Sequence, residues 1–302
     1  MPRRFRWKRR LVVAAAFSFF LYGLGAMIGI RGLLESRLFY YPDRAHFLKA
    51  PTAEEVRFRT PDGLTLHGWF FKAEAEPGSP PPPAVVHAHG NAGNINWHTE
   101  FSSFLPREGV SVLLFDYRGY GKSDPPIGRL ARRNLVTDTK AAVEYLAGRQ
   151  DVDPARIGMY GVSLGGVIGL AAAAEDPRFR AVVSISAFST WRSVAADHGG
   201  KLVSRLIANG DEAADAVGAL GGRPLLLIHG EKDAIVPVAH AHRLKAAADA
   251  AGVPATLVID PEADHNGIVY TNPALQEQIA RWLAEALAPA GASPITPTDR
   301  RP

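Results

Sequence analysis

Cysteine is absent from this chain of 302 residues. The absence excludes a disulfide framework, a catalytic thiol and a zinc site built on thiolates. It does not indicate a compartment, because exported proteins and cytosolic proteins can both lack cysteine.

A basic excess is also absent once the first ten residues are set aside. The chain has 34 basic and 30 acidic side chains. Six of the basic ones lie in residues 1–10, and the remaining 28 leave the rest of the chain slightly acidic. These six are Arg3, Arg4, Arg6, Lys8, Arg9 and Arg10. The globular part therefore lacks the positive surface of a nucleic-acid-binding protein.

Charge is missing from residues 11–30 as well. A helix of this length spans about 30 Å, which matches the hydrocarbon core of a bilayer. We predict an uncleaved transmembrane signal anchor; a cleaved signal peptide and a buried helix are the alternatives. The run is longer than a usual signal-peptide core of about 7–15 residues, and no clear cleavage site follows it. Because the basic residues precede the run, its N-terminus is predicted in the cytoplasm and the globular domain on the opposite, periplasmic or lumenal, side.

Beyond the anchor, short apolar runs alternate with helical patterns. This alternation predicts an α/β fold with a doubly wound, mostly parallel sheet. A turn at Pro61-Asp62-Gly63 predicts a hairpin between the first two strands. One helix is predicted over Thr137–Leu146, with Asp138 helping to open it. The predicted strands are Glu55–Thr60, Leu64–Lys72, Ala84–Ala88, Val110–Tyr117, Ile157–Tyr160, Ala181–Ile185, Pro224–His229 and Ala255–Ile259.

The pattern divides the chain into five parts. Residues 1–10 form a basic cytoplasmic segment, 11–30 the anchor, 31–53 a connector, 54–288 the globular domain and 289–302 a disordered, proline-rich tail. Within the domain, residues 187–222 do not follow the strand–helix alternation. We interpret them as a small helical cap.

The most informative motif is Gly161-Val162-Ser163-Leu164-Gly165. It lies between a predicted strand and an alanine-rich helical run, which is the context of a nucleophile elbow. Glycines fit this turn because it is too tight for side chains. Ser163 would lie at the start of the helix, where backbone N–H groups favour negative charge.

A serine hydroxyl needs a base, and the base needs a group that orients it. Two later strands end in loops that offer Asp233 and His265, and the order Ser163, Asp233, His265 is that of an α/β-hydrolase. Asp264 and Glu231 are alternative orienting groups, although the position directly after the strand favours Asp233.

The pairs His87-x-His89 and His240-x-His242 have the spacing of metal ligands. Neither pair has an evident third ligand, so we predict no metal site.

Three further motifs carry a family resemblance: Leu38-Phe39-Tyr40-Tyr41-Pro42, His89-Gly90-Asn91-Ala92-Gly93-Asn94, and the run from Asp116 to Ser123. Together with the elbow, they resemble the membrane-anchored ABHD branch of the α/β-hydrolases over roughly residues 36–286. The resemblance implies an α/β-hydrolase fold and an oxyanion hole formed by the backbone N–H groups of Asn91 and Leu164. The mechanism that these motifs predict needs no cofactor or metal, and we interpret His89 as a structural residue that braces the oxyanion loop and not as a catalytic one.

These features predict a serine hydrolase that cleaves carboxylic esters or thioesters through an acyl-enzyme intermediate. The expected substrate is a small or lipid-like acyl compound, and the expected membrane contact is the N-terminal helix. One alternative is a serine aminopeptidase-type peptidase, which would need an acidic group near the cap to bind an amine; the candidates are Asp197, Asp211, Glu212 and Asp215. The other is a non-catalytic anchored binding module on the same fold.

Overall fold

The computed structural model describes residues 25, 29–46, 52–76 and 78–289. Most of the predicted anchor and nearly all of the predicted tail lie outside these residues. Among the described helices, none combines the length and the apolar character that crossing a bilayer requires.

Eight strands form one sheet in the order β10-β9-β8-β7-β4-β6-β3-β2. The pairs β2–β3 and β3–β6 are antiparallel, and all other neighbours in this sheet are parallel. The predicted α/β-hydrolase fold with a mostly parallel sheet is therefore confirmed. The strands are β1 (Tyr41–Pro42), β2 (Glu54–Arg59), β3 (Thr65–Phe71), β4 (Ala84–Ala88), β5 (Ala92–Gly93), β6 (Ser111–Phe115), β7 (Ile157–Val162), β8 (Phe179–Ile185), β9 (Leu225–Gly230) and β10 (Ala255–Asp260).

Helices cover both faces of the sheet. One face packs against α2, α3, α5 and α6, and the other packs against α7 and three short 3-10 helices. Because both faces are buried, the inner strands are mostly apolar, as in Val85 and Val86 of β4. The α-helices are α1 (residues 29–39), α2 (Arg132–Ala147), α3 (Leu164–Glu175), α4 (Trp191–Leu206), α5 (Ala213–Gly218), α6 (Ala239–Ala250) and α7 (Pro273–Ala286). The 3-10 helices are Ile95–Trp97, Thr99–Phe101 and Leu105–Glu108.

The start of α2 differs from the prediction. The helix begins at Arg132, so Asp138 lies in its interior and does not open it. Asp138 is instead buried against Arg118, whose Nε donates to Asp138 Oδ1 at 2.8 Å. The role of this carboxylate is thus set by a residue 20 positions earlier, which helical spacing alone does not reveal.

The segment predicted as a connector is in part a packed element. Residues 29–39 form α1, and Glu35 of α1 pairs with Arg132 at the start of α2 at 2.7 Å. Tyr40 donates its hydroxyl proton to Glu35 at 2.8 Å. Phe39 packs edge-on against Trp191 of α4 at a ring distance of 5.0 Å. The chain that follows the predicted anchor is therefore fixed to the domain beside α4.

We expect Glu35→Ala to lower the free energy of unfolding by about 3 kcal/mol, because it leaves the buried Arg132 guanidinium without its partner. Burial raises the pKa of Glu35, but Arg132 outweighs that effect and lowers the pKa, so the pair is ionic at neutral pH. Chemical denaturation of the full chain in detergent measures the loss. Glu54→Ala is the matched control, because its pair with Arg149 is exposed and should contribute less than about 1 kcal/mol. Equal losses in the two variants would contradict a structural role for the Glu35–Arg132 pair.

Candidate active site

Ser163 lies on the sharp turn between β7 and α3. Its backbone has φ 55° and ψ −116°, a strained conformation for a residue other than glycine. The Ser163 N–H donates to the carbonyl of Ile185 on the neighbouring strand β8 at 2.7 Å, which holds the turn in place. The side chain stays partly accessible at the end of the sheet.

Close backbone contacts explain the two glycines of the motif. A Cβ atom on Gly165 would lie 1.9 Å from the carbonyl oxygen of Ala88. A Cβ atom on Gly161 would lie 2.3 Å from the carbonyl oxygen of Gly165. Neither contact can be relieved by rotating a side chain, because both partners are backbone atoms. The approach of the elbow to β4 therefore requires glycine at 165, and the tight turn from β7 into α3 requires glycine at 161.

We expect Gly165→Ala to destabilise the fold by about 3 kcal/mol or more, since α3 must move away from β4 to make room for the methyl group. Gly222→Ala is the matched control, because a Cβ atom there meets nothing within 4 Å. Thermal denaturation of both variants measures the effect. A Gly165→Ala variant as stable as Gly222→Ala would contradict the close approach of the elbow to β4.

Three side chains from distant parts of the sequence meet at the elbow. His265, in the loop after β10, has its Nε2 atom 3.0 Å from Ser163 Oγ. Its Nδ1 atom is 2.7 Å from Oδ2 of Asp233, which lies in the loop after β9. A proton on Nδ1 shared with the carboxylate leaves Nε2 free to accept the proton of Ser163. The structure thus brings together the three side chains that the sequence predicts as a triad.

The Asp233 carboxylate is held by several donors. Its Oδ1 atom accepts from the N–H groups of Ile235 at 2.9 Å and Val236 at 2.7 Å. His229 Nε2 lies 3.3 Å from Oδ2 and donates to the carbonyl of Val236 at 2.7 Å. Burial raises the pKa of Asp233, but hydrogen bonds from His229 and His265 outweigh it and hold the pKa well below its usual range. The carboxylate therefore stays charged and fixed in orientation.

The predicted oxyanion donors lie on two backbone segments near Ser163. Leu164 is the first residue of α3, and Asn91 lies in the loop after β4. The carbonyl of Asn91 accepts from the Tyr41 N–H at 2.9 Å and from the Tyr120 hydroxyl at 2.8 Å. Among the described residues, no hydrogen bond uses the N–H of Asn91 or of Leu164. Both donors thus remain available for a ligand.

His89 lies inside the oxyanion loop and is fully buried. Its Nδ1 atom donates to the carbonyl of Gly90 at 2.7 Å, and its ring packs 4.5 Å from that of Tyr117. Burial lowers the pKa of His89 well below its usual range, so the ring is neutral. These contacts fit a residue that braces the loop.

Asp264 and Glu231, the alternatives to Asp233 for orienting His265, have other surroundings. Asp264 accepts from the N–H groups of Asn266 and Gly267 in its own turn, and Glu231 is exposed. Neither acid contacts His265 in the described hydrogen bonds.

Three of the four acids considered for binding a substrate amine have partners. Asp197 accepts from His240 at 2.8 Å, Asp211 pairs with Arg133 at 3.1 Å, and Glu212 accepts from the Trp191 N–H at 2.9 Å. The fourth, Asp215, is exposed.

The histidine pairs with metal-like spacing are engaged in other contacts. His87 Nδ1 is 2.7 Å from the Ser102 hydroxyl, and His240 contacts Asp197. In the part of the chain that the structure describes, no three His, Cys, Asp or Glu side chains cluster as metal ligands.

Several residues that shape the site are missing from the sequence-based set. His229 stabilises Asp233, while Tyr41 and Tyr120 hold the Asn91 carbonyl. His229 is the last residue of a predicted strand, four positions before Asp233. A place at the end of the strand, so close to Asp233 in sequence, is only a weak indication that His229 contacts the Asp233 carboxylate. No local signal links Tyr41 to Asn91, which is 50 positions later.

The chain matches the model of the prolyl oligopeptidase family over residues 97–290, which includes Ser163, Asp233 and His265. It is 33% identical over 264 residues to the uncharacterised protein YfhR of Escherichia coli O157:H7, covering 83% of this chain and 88% of that one. It is 29% identical over 228 residues to the alpha/beta hydrolase domain-containing protein WAV2 of Arabidopsis thaliana, covering 70% and 72% of the two chains.

Among solved structures, the Pyrococcus furiosus esterase Pf2001 shares the fold with a TM-score of 0.66. It is 22% identical, and the match covers 82% of this chain and 97% of that one. The sheet order, the elbow and the relatives agree, and the chain belongs to the prolyl oligopeptidase family of the α/β-hydrolases.

Proposed function

We propose that this protein is a serine hydrolase that cleaves carboxylic esters or thioesters. The observation that carries the proposal is the continuous relay from Ser163 Oγ through His265 to Asp233, with contacts of 3.0 Å and 2.7 Å. A serine that only shaped a turn would need neither a buried imidazole acceptor nor a carboxylate behind it.

In the first half of the reaction, Ser163 Oγ attacks the acyl carbonyl carbon while its proton passes to His265 Nε2. The N–H groups of Asn91 and Leu164 donate to the oxygen that becomes negative. Asp233 holds Nδ1–H and stabilises the imidazolium cation. The tetrahedral adduct then collapses, His265 gives its proton to the alkoxide or thiolate leaving group, and an acyl-Ser163 ester remains.

In the second half, water replaces the leaving group. His265 Nε2 takes a proton from the water as its oxygen attacks the acyl-Ser163 carbonyl. Collapse of the second adduct breaks the bond to Ser163 Oγ, which recovers its proton from His265. The products are a carboxylic acid and the free enzyme, so the cycle needs no redox partner.

The proposal includes membrane attachment through residues 11–30, with the N-terminus in the cytoplasm and the site on the opposite side. Its support is the charge-free sequence and the basic cluster that precedes it. The resemblance to the membrane-anchored ABHD branch is part of the same proposal.

Peptide-bond cleavage is the second candidate, because the family match is to prolyl oligopeptidases. An aminopeptidase-type site needs an unpaired acid for the substrate amine. Asp197, Asp211 and Glu212 are already engaged, so the exposed Asp215 is the one candidate of the four that is left for this role. A panel of p-nitrophenyl esters from acetate to palmitate, run beside a panel of aminoacyl amides, distinguishes the two. We expect turnover of esters; turnover restricted to the amides would favour the peptidase.

We expect kcat/KM to fall in acid, because the base of a serine relay must be unprotonated to accept the hydroxyl proton. The lowered pKa of Asp233 keeps it charged, and burial lowers the pKa of His89 so that it stays neutral. One proton should therefore account for the loss. A pH–rate profile of the full chain tests this. A rate that is flat from about pH 8 to pH 4, or that falls with the square of the proton concentration, would contradict the assignment.

A further inference from the structure

The exposed large apolar side chains of the described residues are concentrated on one side of the molecule. Ten are exposed, and the most exposed are Ile127 at 80%, Leu202 at 74% and Trp97 at 67%. The other seven lie in α1, β1, α4 and the loops that follow β9 and β10. Single exposed apolar residues are ordinary, but a one-sided set indicates an interaction surface.

The topology places six of the ten at the carboxyl edge of the sheet. Trp97, Ile127, Ile235 and Tyr270 lie in the connections that follow β4, β6, β9 and β10. Helix α4, with Leu202, follows β8. The described loops at the opposite, amino edge contribute none of the ten.

Helix α1 and strand β1 join the same edge through their contacts. Glu35 pairs with Arg132 at the start of α2, and Phe39 packs on Trp191 at the start of α4. Strand β1 pairs with β5 in the oxyanion loop. Leu38 and Tyr41 are therefore held exposed at the carboxyl edge.

Basic side chains flank this apolar set. In α4, Lys201 precedes Leu202 and Arg205 precedes Leu206, and all four are exposed. In α1, exposed Arg37 precedes exposed Leu38. No ion pair between described residues engages these three cations. Alternation of apolar and basic side chains on one surface is typical of a segment that lies in a lipid headgroup region.

The site opens at this edge. Tyr41, which is half exposed, donates its N–H to the Asn91 carbonyl. Trp97 covers Gly93 in the same loop, and Ile235 is two residues after Asp233. The entrance to Ser163 is thus bordered by side chains that favour an apolar medium.

We propose that the carboxyl edge of the sheet lies against the lipid bilayer, so that acyl substrates reach Ser163 from the membrane side. The occupant of this surface is a bilayer that contains anionic lipid. The inference rests on the proposed membrane anchor, because the predicted anchor ends at residue 30 within the first turn of α1, and an anchor there would hold a bilayer beside this edge. A second copy of the chain is the competing occupant, but exposed cations that face each other across a two-fold axis would repel.

The absence of cysteine makes single-cysteine labelling of the full chain direct. Ile127→Cys and Leu202→Cys place an environment-sensitive fluorophore on the carboxyl edge. Ala251→Cys, exposed between α6 and β10, is the matched control at the amino edge. Each labelled protein is reconstituted into vesicles of phosphatidylcholine and phosphatidylglycerol. Quenching by nitroxide lipids is then compared with quenching by aqueous iodide.

We expect nitroxide lipids to quench the labels at 127 and 202 several-fold more than the label at 251, and iodide to show the reverse order. Equal quenching at all three positions would overturn the proposal, and so would labels at 127 and 202 shielded from both quenchers, which indicates a dimer interface. A full chain that alkaline carbonate extracts from the vesicles would overturn both the anchor and the docking. None of these readouts needs turnover, so failure of the hydrolase proposal would be recognised separately.

Discussion

Replacement of Ser163 by alanine should reduce ester turnover by about 10⁵- to 10⁶-fold, which leaves only the residual rate that the oxyanion donors and substrate binding provide. The variant lacks the oxygen that forms the acyl-enzyme, so His265 and Asp233 have no nucleophile to activate. Removal of one hydroxyl leaves the elbow glycines and the Ser163 N–H bond to Ile185 unchanged. We therefore expect the fold to persist while turnover disappears. The measurement is p-nitrophenyl ester hydrolysis by the full chain in detergent.

Ser103→Ala is the matched control, because Ser103 is exposed in the segment between the second and third 3-10 helices. It should keep full activity and should still react covalently with a fluorophosphonate probe. Ser163→Ala should not react with the probe. Persistent labelling of Ser163→Ala, or equal turnover by both variants, would remove Ser163 from the nucleophile role. A wild-type chain that labels but cleaves no ester would instead show a competent site with a different substrate class.

Asp233→Asn should reduce kcat by about 10⁴-fold at neutral pH. An amide can still accept from the Ile235 and Val236 N–H groups, so the loop should keep its shape. Its NH₂ group would then face His265 Nδ1 and donate to it. That contact forces the imidazole proton onto Nε2, the atom that must accept the proton of Ser163. The variant thus loses the correct tautomer without losing the residue's volume.

Glu231→Gln and Asp264→Asn are the controls, because these acids lie in the loops that carry Asp233 and His265 and are the alternative candidates for the same role. Glu231 is exposed, and Asp264 binds only backbone N–H groups of its own turn in the described contacts. Each should retain activity within a few-fold. If Asp264→Asn or Glu231→Gln lost as much activity as Asp233→Asn, the orienting role of Asp233 would have to be reassigned. Denaturation curves of the three variants distinguish a tautomer effect from unfolding.

The elbow and the strands can be predicted from the sequence because each depends on the properties of neighbouring residues. The elbow depends on glycines that permit a close backbone approach, and the sequence shows them directly at 161 and 165. The sequence predicts strand β4 with its observed bounds, because four of its five residues are apolar and the run is bounded by Pro83 and by His89-Gly90. The order Ser163, Asp233, His265 was informative because each follows a different strand of a parallel sheet, whose carboxyl ends share one edge.

The sequence by itself determined the fold class, the elbow and the three side chains of the relay. Each can be predicted from a short stretch of sequence, because the elbow depends on nearby glycines and the relay residues directly follow predicted strands. Tertiary structure alone decided which acids remain free, how far α2 extends and what α1 contacts. Asp138, Asp197 and Glu35 have partners between 20 and 97 positions away, and no periodicity reports contacts at that separation. The one-sided set of exposed apolar side chains is likewise a property of the folded surface. It arises because the connections from separate strands all end at one edge of the sheet.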